Sequence, residues 1–420
     1  MRGSTAGIGD GFKGRSRRHY ALLSLLDTLL ACLVVSPLTI ACWRGCWELM
    51  DLHVVPGWPR TSAAVSLATG ALGQLLLGVF QRPLAAFLRP DRRRLTYYAA
   101  SRLYTAAFAA SCVGYWRGVF LALHLSLGAR EWPAWALTLL AAAALLASRT
   151  ARNVAAPPFV VAVDSWRGYF EVPTMFRLSL FSCVTAVGTG RLLLSVQKEQ
   201  DAGMYVLDCV FSVAVIGTLS VVVWRGVWTL LDSYLYPDSV CRSAWGSLLL
   251  GYGVVLVVFA LQPPMKALCT RLAGRPRLAA ADLYVLVSFF GTVNVWRGVW
   301  LLLDAYFLPD SPHLSNWLSF SISLLLLMFM NCSNSILVRG VYIDGEEEGG
   351  KCVVFPCYYL RLYFQNKRKE RLRQIQVDQM KQQLRDKAQL QLQQQPDPSD
   401  HHLQVPLIVP RLSVEPPEED

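Results

Sequence analysis

The 420-residue chain is 54% hydrophobic and only 16% charged, whereas soluble domains carry about 25% charged residues. Its charge is also one-sided, with 40 Lys and Arg against 29 Asp and Glu for a formal net charge of +11. This balance excludes disordered, collagenous and small disulfide-framework proteins. It marks a membrane protein whose basic excess belongs to cytoplasmic loops rather than to a nucleic-acid-binding surface.

A spanning helix needs ~20 mostly apolar residues. After a basic stretch over 1–20, a first run at 21–50 carries Asp27, Arg44 and Glu48, with Asp51 just beyond it. Residues 61–81 carry no charge, 98–126 contain Arg102 and Arg117, and 132–148 form a shorter Ala/Leu-rich run. The pattern then repeats as 205–232, 243–265, 281–308 and 314–338. Eight transmembrane helices are therefore expected, in an all-α polytopic fold. Basic residues crowd the N-terminus and the loops around Arg92 and Arg275, while the alternate loops hold only Arg60, Arg130 and Arg242. Both termini are thus expected in the cytoplasm. Residues 178–194 are apolar but carry Arg191, Gly188 and Gly190, and they read as an interfacial segment rather than a ninth span.

The most specific feature is a repeat. Trp43-Arg44-Gly45 recurs as Trp116-Arg117-Gly118, Trp224-Arg225-Gly226 and Trp296-Arg297-Gly298. Successive copies within each half lie 73 and 72 residues apart, and the halves are offset by 181 and 180. Asp27 and Asp208, Gly70 and Gly251, and Gln81 and Gln262 keep that offset. The unit is a helix pair used four times, in two tandem four-helix halves at 21–149 and 204–338. An even number of helices per half makes the copies parallel, about a pseudo-two-fold axis along the membrane normal. Val163-Asp164 parallels Ile343-Asp344 after the fourth helix of each half, so each half ends in a short extended cytoplasmic element. A fifth copy, Trp166-Arg167-Gly168, falls in the cytoplasmic and interfacial linker 150–203 and reads as unrelated.

Seven residues after each Arg stands a polar group: Asp51, His124, Asp232 or Asp304. Nearly two helical turns separate them, which places both on one face ~10 Å apart. Two readings follow. Each Arg pairs with an Asp or a loop carbonyl and locks helices together, or four Arg converge on an anion or lipid head group near the outer boundary. Asp27 and Asp208 lie near the inner boundary, where Arg102 and Asp282 hold comparable places; helix-to-helix pairing is their expected use. The chain has no metalloprotease, Walker, nucleophile-elbow or paired-cysteine motif, so no catalytic residue, cofactor or metal is expected.

Composition turns polar after Val338. Residues 339–395 read as an extended element and a Gln/Lys/Arg-rich helix with a weak stripe at Val377, Met380 and Leu384. Cys352 and Cys357 are candidates for palmitoylation, and 396–420 read as a disordered tail.

The pattern W-R-G-V-W-x-L-L-D at 224–232 and 296–304, followed by Tyr-Pro-Asp or Leu-Pro-Asp, resembles the Fuseless family over about residues 20–345. The first copy departs from it at Cys46-Trp47-Glu48, and the second at Phe120 and His124. The resemblance implies a non-enzymatic multipass presynaptic plasma-membrane protein that helps localise voltage-gated calcium channels and supports neurotransmitter release. Membrane lipids, those channels or presynaptic scaffold proteins would be its partners, and nucleic acid would not. The rival reading is a transporter or channel with an anion or lipid-head-group site at the outer ends of the Trp-Arg-Gly helices.

Overall fold

The computed structural model describes residues 17–90, 93–128, 131–164, 169–172, 196–345, 347 and 349–393, and among these it is helical without a β-strand. Helix α1, Arg17–Leu30, passes through a π-helical turn at Ala31–Val35 into α2, Ser36–His53. Next come α3, Pro59–Val79, the short α4, Gln81–Phe87, α5, Arg94–Leu127, and α6, Glu131–Ala147. The second half repeats the order. Helix α7, Val196–Phe211, runs through a π turn at Ser212–Gly217 into α8, Thr218–Tyr234, then α9, Val240–Arg271, α10, Gly274–Tyr306, and α11, Pro312–Phe329. Helix α12, Leu360–Gln393, closes the described chain.

Seven of these helical stretches are long and apolar enough to cross a membrane: Ala21–His53, Pro59–Val79, Arg94–Leu127, Gly203–Tyr234, Val240–Arg271, Gly274–Tyr306 and Pro312–Phe329. The expected eighth, at 132–148, is an apolar helix of only 17 residues, at the lower edge of spanning length. The run expected at 314–338 is helical only as far as Phe329. Both helices stop at a residue in the left-handed region, Arg149 with φ 57° or Asn331 with φ 52°, the conformation that ends many helices. Large apolar side chains such as Leu103, Leu249, Leu256 and Phe329 point out of the bundle, as lipid-facing residues do. The interfacial segment expected at 178–194, the fifth Trp-Arg-Gly at 166–168 and the tail beyond 393 lie outside the described residues.

The chain forms two units, Met1–Leu362 and Tyr363–Asp420. In the second, α12 is a polar helix on which Val377, Met380 and Leu384 are exposed. In the first, the motif helices α2, α5, α8 and α10 form an inner layer and α3, α6, α9 and α11 an outer one. Each motif helix packs hardest on an outer helix from a different sequence pair: α5 on α3, α8 on α6, α10 on α9, and α2 on α11. The sequence unit and the packing unit are therefore offset by one helix. Paired glycines set two of these crossings. A Cβ on Gly70 would fall 2.2 Å from the Tyr115 backbone nitrogen, and one on Gly118 2.5 Å from that of Leu67; Gly251 and Gly298 face Val295 and Leu248 in the same way. Small residues let the backbones touch.

Two irregular segments fill the interior from the end of the bundle where α6 and α11 stop. Each is a 3-10 turn, Ala151–Val154 or Ser333–Ile336, continued by extended backbone. Residues 151–162 are buried almost throughout. The first lies in the linker expected as cytoplasmic or interfacial, and the second begins within the run expected to span at 314–338; the structure places both inside the helix ring. Irregular backbone is tolerated there because its polar groups find partners within the protein. Asp164 of the first half accepts from the backbone N–H groups of Ser333 and Asn334, and Asp344 of the second from those of Ala151 and Arg152. Each half thus caps the turn of the other. Burial raises the Asp344 carboxyl above its ordinary value, opposed by those two backbone N–H groups. Gln81 brackets the Val172 backbone and Gln262 donates to the Val353 carbonyl, so the repeated glutamines hold the flanking strands of chain.

Candidate functional site

The four Trp-Arg-Gly copies meet around the bundle's centre. Arg117 Nε donates to Asp51 Oδ1 at 2.8 Å, Arg297 Nε to Asp232 Oδ1 at 2.8 Å, and Arg44 Nε to Asp304 Oδ1 at 2.6 Å. Each Arg reaches the Asp of a neighbouring motif helix, not the one two turns along its own. The guanidiniums are buried, whereas the paired carboxylates keep 38–50% of their side-chain exposure. A pair of serines four residues apart on the adjacent outer helix completes each clamp. Arg117 donates to Ser62 and Ser66, Arg297 to Ser243 and Ser247, and Arg44 to Ser315 and Ser319. The first serine of each pair also donates to a backbone carbonyl in the preceding turn, that of Val54, Leu235 or Phe307. Those turns contain non-glycine residues in the left-handed region, Val55, Tyr236 and Leu308. One guanidinium therefore ties together two helices and a strained turn.

The remaining clamp is incomplete. Its arginine, Arg225, would face the position held by His124, and Ala134 and Thr138 stand where the other outer helices carry serines. Thr138 Oγ1 donates instead to the Ala134 carbonyl of its own helix. Buried Arg225 lies over the Phe120 ring at 5.8 Å, and among the described residues its Nε has no hydrogen-bond partner. A left-handed Gly128 replaces the non-glycine turn residue. The changes at Asp, Ser and turn occur together because they belong to one clamp. Three arginines are tied to acids, so the four do not converge on a common anion.

One residue before each Arg, the tryptophans form a closed edge-to-face circuit. Centroid separations are 5.4 Å for Trp43–Trp116, 5.7 Å for Trp116–Trp224, 5.4 Å for Trp224–Trp296 and 5.7 Å for Trp296–Trp43. The irregular segments receive three indole N–H groups from it: Trp43 donates to Ile336 O, Trp224 to Val154 O and Trp296 to Pro157 O. One turn along, Trp47, Phe120, Trp228 and Trp300 make a second tier, with Trp47 5.4 Å from Phe120 and 5.9 Å from Trp300. Between the tiers lies a cavity of about 210 Å³, with Ala156 and Val338 of the irregular segments also in its wall. Glu48 is the one charged residue lining it, among the described residues.

The other residues singled out from sequence lie elsewhere. Asp27 is buried and accepts from Arg361 Nε at 2.6 Å and from the backbone N–H groups of Leu360 and Arg361, so it caps α12 rather than pairing with another spanning helix. Asp208 is also buried, and its carbonyl accepts from Ser212 beside the π turn. Arg102 binds Asp164, Ser333 and Asn331, while Asp282 occupies the matching place near Asp344 and Arg149. The charges are exchanged between halves, Arg102 with Asn331 in one and Asp282 with Arg149 in the other. Cys352 and Cys357, the palmitoylation candidates, are both buried. The Cys357 thiol donates to the Pro158 and Phe159 carbonyls, and burial pushes both thiols up. Neither sulfur is presented for acylation in this fold.

Sequence reasoning missed the serine pairs, which keep the 181-residue offset from Ser62 and Ser66 to Ser243 and Ser247. It also missed the two π turns, a local unwinding that leaves the Cys32 carbonyl to accept from Tyr252 Oη.

No curated protein and no solved structure matches the chain significantly. The family model described as Fuseless matches residues 22–188 and 191–337, which contain all four clamps and both tiers of aromatic residues. The chain belongs to the Fuseless family.

Proposed function

We propose that this protein is a non-enzymatic presynaptic plasma-membrane organiser that helps localise voltage-gated calcium channels and supports neurotransmitter release. The observation that carries the reading is the clamp set: Arg44, Arg117 and Arg297 are each tied to a neighbouring helix's Asp and to two serines. Intramembrane charge held in this way builds a rigid body and leaves the lipid-facing surface apolar for lateral contact with other membrane proteins. In this reading α6 is an eighth span, the halves are related by a pseudo-two-fold axis along the membrane normal, and both termini are cytoplasmic. The basic helix beyond Tyr363 then serves as the arm for cytoplasmic partners.

A test is co-capture of calcium channels from neurons expressing the full chain or a chain ending at Asn366. Loss of capture with normal surface delivery of the shortened chain is the expected result. Equal capture by both would remove the arm from the reading. The transporter alternative retains one favourable observation, the aromatic cavity. Flux of a solute through the purified protein in liposomes, abolished by Arg297→Met, would decide for it.

A further inference from the structure

From the cavity between the aromatic tiers we infer a binding site for a small organic ammonium ion, of the alkylated kind that choline carries. Three features select a cation. The walls are indole and phenyl rings, whose faces attract positive charge, most strongly when water is excluded. The one charged lining residue is Glu48, whose carboxylate makes no hydrogen bond or ion pair among the described residues. Three of the four motif arginines, and three of the seven indole N–H groups that line the cavity, are engaged elsewhere. The indole N–H groups of Trp43, Trp224 and Trp296 are given to backbone carbonyls. Arg44, Arg117 and Arg297 are given to aspartates and serines, and Arg225 lies over Phe120 without lining the cavity.

Glu48 has no part in the clamp pattern. The positions five residues after the other three motif tryptophans are Leu121, Thr229 and Leu301. A carboxylate introduced at one quadrant of an aromatic box, with no hydrogen-bond partner among the described residues, has the form of a ligand group. With Glu48 the carboxyl groups around the ring number four, equal to the arginines. The volume of about 210 Å³ suits a choline-sized head and is below that of common drug-sized pockets, ~300–1,000 Å³. The same ammonium chemistry occurs in a free solute and in a phosphatidylcholine headgroup.

The test uses the full chain in nanodiscs of phosphatidylglycerol, with tryptophan emission followed during titration with choline chloride and with its neutral carbon isostere, 3,3-dimethylbutan-1-ol. Choline should give a saturable change, and the isostere should bind at least about tenfold more weakly. Glu48→Gln should lose at least about tenfold in choline affinity with its thermal transition in place. Should that variant melt early, Phe120→Leu tests the wall and should weaken choline several-fold with little effect on the isostere. Nanodiscs of phosphatidylcholine separate the sources: a choline response already occupied there assigns the lipid headgroup, and an unchanged response assigns the free solute. Equal binding of choline and the isostere, or no saturation by choline in phosphatidylglycerol, would overturn the site.

Discussion

Each complete clamp asks one guanidinium to satisfy an acid on a neighbouring helix and two hydroxyls on a third, so its worth is read by breaking one contact at a time. Removing a hydrogen bond to a charged group costs about 1–3 kcal/mol. Asp232→Asn should fall toward the lower end because that carboxylate is half exposed and screened. Ser247→Ala, which strips a buried acceptor from Arg297, should cost at least as much. The incomplete clamp gives the converse experiment. His124→Asp supplies the acid that Arg225 lacks and should raise the thermal transition by several degrees in detergent, whereas an unchanged or lower transition would show that Arg225 is satisfied in another way. The motif residues were legible from spacing, but their partners were not. Periodicity places Arg44 and Asp51 on one face of one helix; only the packing brings Arg117 to Asp51. The serines were hidden because small polar residues in an apolar run look like ordinary helix contacts, and Glu48 because nothing in the sequence marks where an interior cavity lies.

At the scale of helices, the glycines next to the motif arginines decide how close two elements can lie. Gly298→Ala would push its Cβ to 2.8 Å from the Leu248 Cα, a backbone atom that cannot rotate away. That variant should lose more than 2 kcal/mol, by the usual cost of overpacking, or fail to assemble. Gly226→Ala instead meets the Thr138 side chain, so adding Thr138→Ala, which removes the hydroxyl and methyl but leaves a Cβ 2.7 Å away, should recover part of its loss. Melting curves of the single and double variants check both. The C-terminal boundary was misplaced by composition. Polar sequence after Val338 reads as leaving the membrane domain, yet the Phe355 ring stacks 5.4 Å from Tyr284 and lies 4.5 Å from Phe159, and Arg361 is bound to Asp27. A chain cut near Glu346 removes these contacts and should fold poorly, since loss of a buried Phe side chain alone costs about 3–5 kcal/mol. A chain ending at Asn366 should keep the bundle's transition. Short irregular segments have no period to find in sequence, so their return into the helix ring could not be read from pattern.

For the molecule as a whole, the all-helical class, the membrane character and the family were legible because they rest on long apolar runs and a motif repeated at fixed offsets. The span count was less secure: α6 is too short to be separated from a buried helix by length and hydropathy alone. Reciprocal caps of Asp164 and Asp344 join the halves, so neither half has a complete interior by itself. Such a body suits the organising role proposed above. The most direct measurement of that role is to remove the protein from neurons and count calcium channels at release sites by imaging. A clear loss of channels, restored by the full chain, is the expected result; unchanged channel numbers at those sites would contradict it.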